Sequence, residues 1–256
     1  MAPSTAASSQ KRLLDMVKTL QFSWFAGHVL VLLGVLFYLI STIKFSTNTA
    51  WARFWYRESF FSVIITYSIV LFRTYKSSSP TTTTLLRDDN VQYLAIALLW
   101  LFSRPLLITL PSFAIYSFFH VLTYSRSVLL PALGHGASSP LSTRIQSFVD
   151  TNNDKFTSVV ANLELLLLAR LAVNAITFQK GSWVTVLIYG AFMHFRYEQS
   201  VFTKFAVRNW EVRIDGLVAH PSVPAPVRLG WIRLKQIVAS LSSTRTASVP
   251  TGAKAR

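Results

Sequence analysis

Two residues in this chain of 256 stand where an ionisable group could do chemistry: Glu164 and Arg170, both inside the apolar run from Phe156 to Phe178. A charge in such a run needs a partner or water, and that need marks ion and proton pathways in transporters. Six residues apart, the two project about 120° from one another on a helix, so they do not form an i,i+4 pair. Either they line a conduit, or Glu164 bonds to another helix while Arg170 reaches for an interface. The other candidates are weaker. His28, His120, His135, His194 and His220 follow no metal-ligand spacing. Asp150, Asn152 and Asp154 mimic the start of a calcium loop, but Lys155 stands where glycine is needed and Ala161 where the bidentate acid is needed. Capping of a helix that starts near Lys155 suits them better. With no cysteine, thiolate chemistry and disulfides are excluded, and no nucleotide-binding loop or nucleophile elbow occurs. The reading is therefore of a chain with no catalytic, cofactor or metal residues.

The elements that must carry these residues belong in a bilayer. Hydrophobic residues make up 52% of the chain and charged ones 14%, with a mean hydropathy of +0.41, too little polar surface for an ordinary soluble domain. Phe22 to Ile43 runs without an acidic or basic side chain. As a helix it reaches about 33 Å, enough to cross a hydrocarbon core of about 30 Å and longer than a signal-peptide core. The following apolar stretches are short and charge-flanked: Ser59 to Phe72, Val91 to Ser103, Leu106 to Tyr124 through Pro111, and Trp183 to Phe195. The first of these spans only if Trp51, Trp55 and Tyr56 sit among headgroups while Arg53, Arg57 and Arg73 snorkel outward. Such segments suit wedge-like hairpins as well as full crossings. Asp88, Asp89 and Asn90 offer caps to the helix after them. The expected fold class is all-α: a polytopic membrane helix bundle with short paired helices. Residues 1–21 form a cytosolic segment, 22–197 the membrane domain and 198–256 a basic tail.

Ten of the 25 lysines and arginines fall from Arg196 onward, against the three acids Glu198, Glu211 and Asp215. By the positive-inside rule the tail is cytosolic. Two amphipathic helices are expected in it. Over 203–218 one face gathers Ala206, Val207, Trp210, Ile214, Leu217 and Val218. After the break HPSVPAP, Val227, Trp231, Leu234, Val238 and Leu241 recur at spacings of four, three, four and three, edged by Arg228, Arg233 and Lys235. The second helix is too polar to span and fits the headgroup plane of an anionic cytosolic leaflet, with Trp231 dipping inward. Packing on the protein itself, or recognition by a partner such as a nuclear transport receptor, would use the same pattern.

The run RPLLITLPSFAIYSFFHVLTYSRSVL (104–129), with its F-x-H-x-x-T-Y ending, resembles the transmembrane protein 33 family, which includes fungal pore-membrane and perinuclear proteins. So do NNDKF (152–156), the neighbourhood of Asn162 and Glu164, the triplet Phe195, Arg196 and Tyr197, and the tail from Trp210 to Leu241 with its H-P…P-x-P-V-R segment. The resemblance covers most of the chain from about residue 90. It implies a non-enzymatic, multi-spanning protein of the endoplasmic reticulum and nuclear envelope that shapes membrane and helps distribute or assemble nuclear pore complexes. The partners it implies are the bilayer, reticulon-type proteins, nucleoporins or a transport receptor, with no nucleic acid and no small-molecule substrate.

Overall fold

The computed structural model describes residues 14–136 and 138–243, with side chains as far as Ile237. Among them the regular structure is helical: a turn α1 (14–17), then α2 (Leu20–Ile43), α3 (Ala50–Tyr75), α4 (Thr82–Arg87), α5 (Asp89–Phe102), α6 (Pro111–Tyr124), α7 (Leu130–Ala132), α8 (Pro140–Ile176), α9 (Ser182–Gln199), α10 (Val201–Val218) and α11 (Ala225–Ser243). A 3-10 turn at Leu107–Thr109 precedes α6 and a π turn at Ser125–Leu129 follows it. The chain divides into one compact unit ending at Lys204 and a second beginning at Phe205.

Local chemistry sets most helix starts. Thr19 and Thr49 accept from the amides of Phe22 and Ala52, and Asp88 accepts from Asn90, so α2, α3 and α5 begin on capped first turns. Pro111 opens α6 in the first turn, where its missing amide costs nothing. Two expectations need correction. The helix carrying Glu164 starts at Pro140, capped by Ser139, and runs 37 residues. The stretch from Asp150 to Asp154 is therefore mid-helix, where Asn152 bonds back to the Phe148 carbonyl and Gln146 donates to Asp150. Likewise α3 starts at Ala50, nine residues before the apolar run. Arg53, Arg57 and Glu58 lie within it, and Tyr56, whose place among headgroups is one condition for the short run to span, is fully buried with its hydroxyl 2.9 Å from that of Thr109.

Six helices of the first unit close a ring in the order α2, α3, α5, α9, α8, α6, back to α2, each touching the next. Neighbours run antiparallel. Gly27 lies against Thr66 and Gly34 against Ser59, Tyr67 stacks with Tyr93, Arg196 meets Asp89, and His28 meets Ser117. The start of α2 and the end of α9 thus share one end, here termed proximal. The turns at 44–49, 103–110 and 177–181 share the other, distal end. Each distal turn carries an exposed phenylalanine and a cation: Phe45 with Lys44, Phe102 with Arg104, Phe178 with Lys180. The segments Leu20–Ile43, Leu107–Ala132 and Pro140–Ile176 are long and apolar enough to cross a membrane, and α3, at 26 residues, is as long but more polar. At 14 and 18 residues, α5 and α9 reach only about 21 and 27 Å.

Candidate functional site

The ring is filled rather than hollow. Around the Tyr93 ring stand Tyr67, Phe113, Tyr116 and Phe192, with centroids 5.4 to 5.9 Å away. Glu164, 2% exposed, points into this cluster from α8. The Tyr93 hydroxyl donates to its Oε1 at 2.7 Å, and Arg196 Nε lies 3.8 Å from its Oε2. The Arg196 guanidinium sits 5.2 Å from the centre of the Tyr93 ring and reaches the exposed Asp89 at 3.2 Å. Tyr189 closes the other side by donating to the Glu164 carbonyl at 3.3 Å. The void beside Glu164 measures about 10 Å³, room for about one water at most.

Arg170 is not part of this network. It is exposed on the outer face of α8, toward the distal end, so the structure does not bring the two sequence candidates together. The partner that sequence reasoning missed is Arg196, 32 positions away on α9. No local spacing signals such a pair. What could have found it is the rule that a buried carboxylate requires a cation, applied to the few bases at the edges of the apolar runs. The histidines behave differently from their scattered spacing. His28 and His120 meet between α2 and α6 with rings 4.7 Å apart, and His28 Nδ1 bonds with Ser117 Oγ at 3.0 Å. Among the described residues no three potential ligands gather for a metal.

In the second unit α10 and α11 form a clasped pair. Asp215 Oδ1 accepts from the Trp231 indole at 2.6 Å and from Lys235 Nζ at 2.8 Å, and Lys235 also approaches Glu211 at 3.8 Å. Arg228 donates to the carbonyls of His220 and Pro221, both at 3.3 Å, which ties α11 to the turn before it. The bonds from Lys235 and then Trp231 hold the Asp215 carboxyl below its ordinary range, and Asp215 raises Lys235 in return. This geometry splits the expected apolar stripe. Trp231 is half-buried at its margin because its N–H finds a carboxylate on α10, whereas Val227 and Leu234 are 53% and 50% exposed. Ile237 widens the open face and Arg233 is exposed beside it. Val238 and Leu241 lie outside the residues whose side chains are described. On α10, Trp210 and Ile214 are half-buried and Leu217 is exposed.

Comparison with known proteins agrees with a membrane protein. Residues 3–244 match the family model described as Transmembrane protein 33/Nucleoporin POM33. The chain is 37% identical to Nucleoporin POM33 of Chaetomium thermophilum, over 91% of its own length and 89% of the relative's. It is 31% identical to the Pore membrane protein of 33 kDa of Saccharomyces cerevisiae, over 97% and 92% of the two chains. With Tetra-spanning protein 1 of Schizosaccharomyces pombe the identity is 34%, over 92% and 88%. No solved structure matches the chain.

Proposed function

The chain belongs to the Transmembrane protein 33/Nucleoporin POM33 family, and from that premise we propose that it is a non-enzymatic organiser of endoplasmic reticulum and nuclear-envelope membrane. It acts at nuclear pores through a rigid membrane bundle and a basic amphipathic tail. The observation that carries this reading is the open stripe of Val227, Leu234 and Ile237 on α11, flanked by Arg228, Arg233 and Lys235. A helix of that composition, too polar to span, lowers its free energy by lying at a headgroup surface. Its exposed Arg233 adds about 1 kcal/mol on an anionic leaflet, and tethering to the bundle raises the helix's effective concentration there.

Two features of the bundle support the same reading. Helices of about 21 and 27 Å stand in one ring with helices of 36 Å and more, and such mismatch is relieved by thinning the bilayer locally. Three of the six ring elements are long and apolar enough to cross on their own, counting Leu107–Ala132 as one, and α3 is as long but more polar. The alternating ring also returns the chain to the end where it entered, and the positive-inside rule assigns the tail with its ten bases to the cytosol. Transport through Glu164 finds no comparable support, since that carboxylate is committed to Tyr93 and Arg196 in a packed aromatic interior. The partners this reading proposes are reticulon-type proteins, nucleoporins or a nuclear transport receptor.

The test is a peptide of residues 200–245 followed by circular dichroism. Small anionic vesicles are expected to raise its helicity, and Leu234→Asp or Trp231→Glu to abolish the gain. No gain for the native peptide with any vesicle refutes the lipid-surface role.

A further inference from the structure

At the distal end the α5–α6 turn and the α8–α9 turn enclose a pocket of about 320 Å³. Its floor is apolar, from Trp100, Leu106 and Leu171, and its rim carries Arg104 from one turn and Lys180 from the other. Both cations are exposed, neither has an ion-pair partner among the described residues, and no carboxylate lines the pocket. Between them α9 begins on Gly181, whose φ of +79° is a left-handed conformation and which offers no side-chain cap; the Ser182 amide donates to the Gln179 carbonyl at 3.0 Å, and the amides after it form the positive end of an 18-residue helix. The second, independent observation is Asn174. It lines the same pocket, is 7% exposed, and its side-chain carbonyl has no hydrogen-bond partner. A buried acceptor left unpaired costs about 1 to 3 kcal/mol, so a donor is missing from this wall.

The depth of the pocket names the source of the ligand. Trp51 on α3, exposed at this end, is a residue type that settles at a membrane–water interface, and the exposed phenylalanines of the three distal turns add apolar surface that buries at the headgroup–acyl boundary. A pocket at that depth, apolar toward the midplane and cationic toward the water, matches the profile of a phospholipid from glycerol to phosphate. We propose that this pocket binds the headgroup of a membrane glycerophospholipid, with its phosphate on Arg104, Lys180 and the start of α9, and a headgroup hydroxyl or ammonium donating to Asn174. The site lies at the opposite end of the bundle from the exit of α9 and does not rest on the reading of the tail.

The experiment uses the full chain in detergent micelles and counts retained lipid by native mass spectrometry. The probes are phosphatidylinositol, phosphatidic acid, diacylglycerol with the same acyl chains, and water-soluble glycerophosphoinositol. One saturable equivalent of phosphatidylinositol is expected, with neither diacylglycerol nor glycerophosphoinositol retained comparably. Arg104→Gln combined with Lys180→Gln, both at exposed positions, weakens retention by about tenfold or more, as the loss of charge-assisted bonds to phosphate requires. Asn174→Ala lowers the preference for phosphatidylinositol over phosphatidic acid while leaving phosphatidic acid bound. Graded, unsaturable lipid adducts that the double substitution does not change would overturn the proposal. Equal retention of diacylglycerol removes the role of the phosphate, and equal retention of glycerophosphoinositol makes the ligand a soluble organophosphate rather than a lipid.

Discussion

Replacing Arg196 with methionine tests whether the Glu164 network holds the ring together. Arg196 is 5% exposed, Glu164 is 2% exposed, and once the guanidinium is gone Glu164 keeps only the Tyr93 hydroxyl. Removing one partner of a buried pair costs about 3 to 5 kcal/mol in soluble proteins, because the other charge is stranded. Inside a bilayer, polar contacts between helices average about 0.6 kcal/mol and reach about 1.7. The contact to Asp89 adds under about 1 kcal/mol, since that carboxylate is 56% exposed and screened. Arg196→Met is therefore expected to destabilise the bundle by about 2.5 kcal/mol, between the two regimes. Glu164→Gln costs about 1 kcal/mol, because the amide oxygen still accepts from Tyr93 and Arg196 keeps Asp89 and the Tyr93 ring. The double variant costs less than the sum, by about 2 kcal/mol of coupling. Unfolding of the full chain in bicelles by rising dodecyl sulfate fraction measures all three. An Arg196→Met variant within about 0.5 kcal/mol of the native chain, or strictly additive effects, would show that the pair is incidental.

Two further outcomes follow from particular contacts. A Cβ on Gly34 would meet Ser59 Oγ, Glu58 Oε2 at 2.6 Å and the Trp55 carbonyl at 3.0 Å, while one on Gly190 meets nothing within 4 Å. Gly34→Ala should cost about 2 kcal/mol by forcing α2 from α3, and Gly190→Ala should be neutral or stabilise by up to about 1 kcal/mol in the same unfolding assay. In the tail, the lowered Asp215 carboxyl means that its clasp is fully present above the ordinary aspartate pKa of about 4 and is lost as pH falls through the folded value. The raised Lys235 sets the other limit, with the clasp weakening only as pH rises past the ordinary lysine value of about 10.4. The Trp231 indole N–H resonance of the full chain should hold its position between those limits and move with acid, with high salt, or in Asp215→Asn. A resonance indifferent to all three means that the indole bond does not form.

Much of this architecture was legible because apolar length and period are local properties. The span ending at Ile43, the short α5 stopped before Arg104-Pro105, and the two tail helices on either side of HPSVPAP all follow from residues within a turn or two of each boundary. Asp88 was legible as a cap for the same reason. Asp150 to Asp154 misled because the same side chains that cap helices are tolerated on an exposed helical face, and the competing signal, Ser139 before Pro140, lies ten residues upstream. The true length of α3 was hidden by Arg53, Arg57 and Glu58, which break an apolar run without breaking a helix. Arg196 and the clasp of Asp215 on Trp231 depend on which helices become neighbours, and no spacing along the chain encodes that.

The ring itself makes the strongest case that Glu164 belongs to structure. Six helices alternating in direction around a closed circuit are a geometry that could leave a channel, and a carboxylate at mid-depth would suit its lining. What decides the matter is the size of the residues facing inward. Tyr67, Tyr93, Phe113, Tyr116, Tyr189 and Phe192 occupy the interior, and a ring of large aromatics with polar tips has to place those hydroxyls somewhere. Glu164 and Arg196 supply that place: the carboxylate accepts from Tyr93, whose hydroxyl lies 3.2 Å from that of Tyr116, and the guanidinium covers the Tyr93 face. Removing the carboxylate side chain altogether would leave the Tyr93 hydroxyl with only Tyr116 as a partner and strand Arg196 in the interior, which is where the cost lies. A ring so filled has no room for a conduit past Glu164.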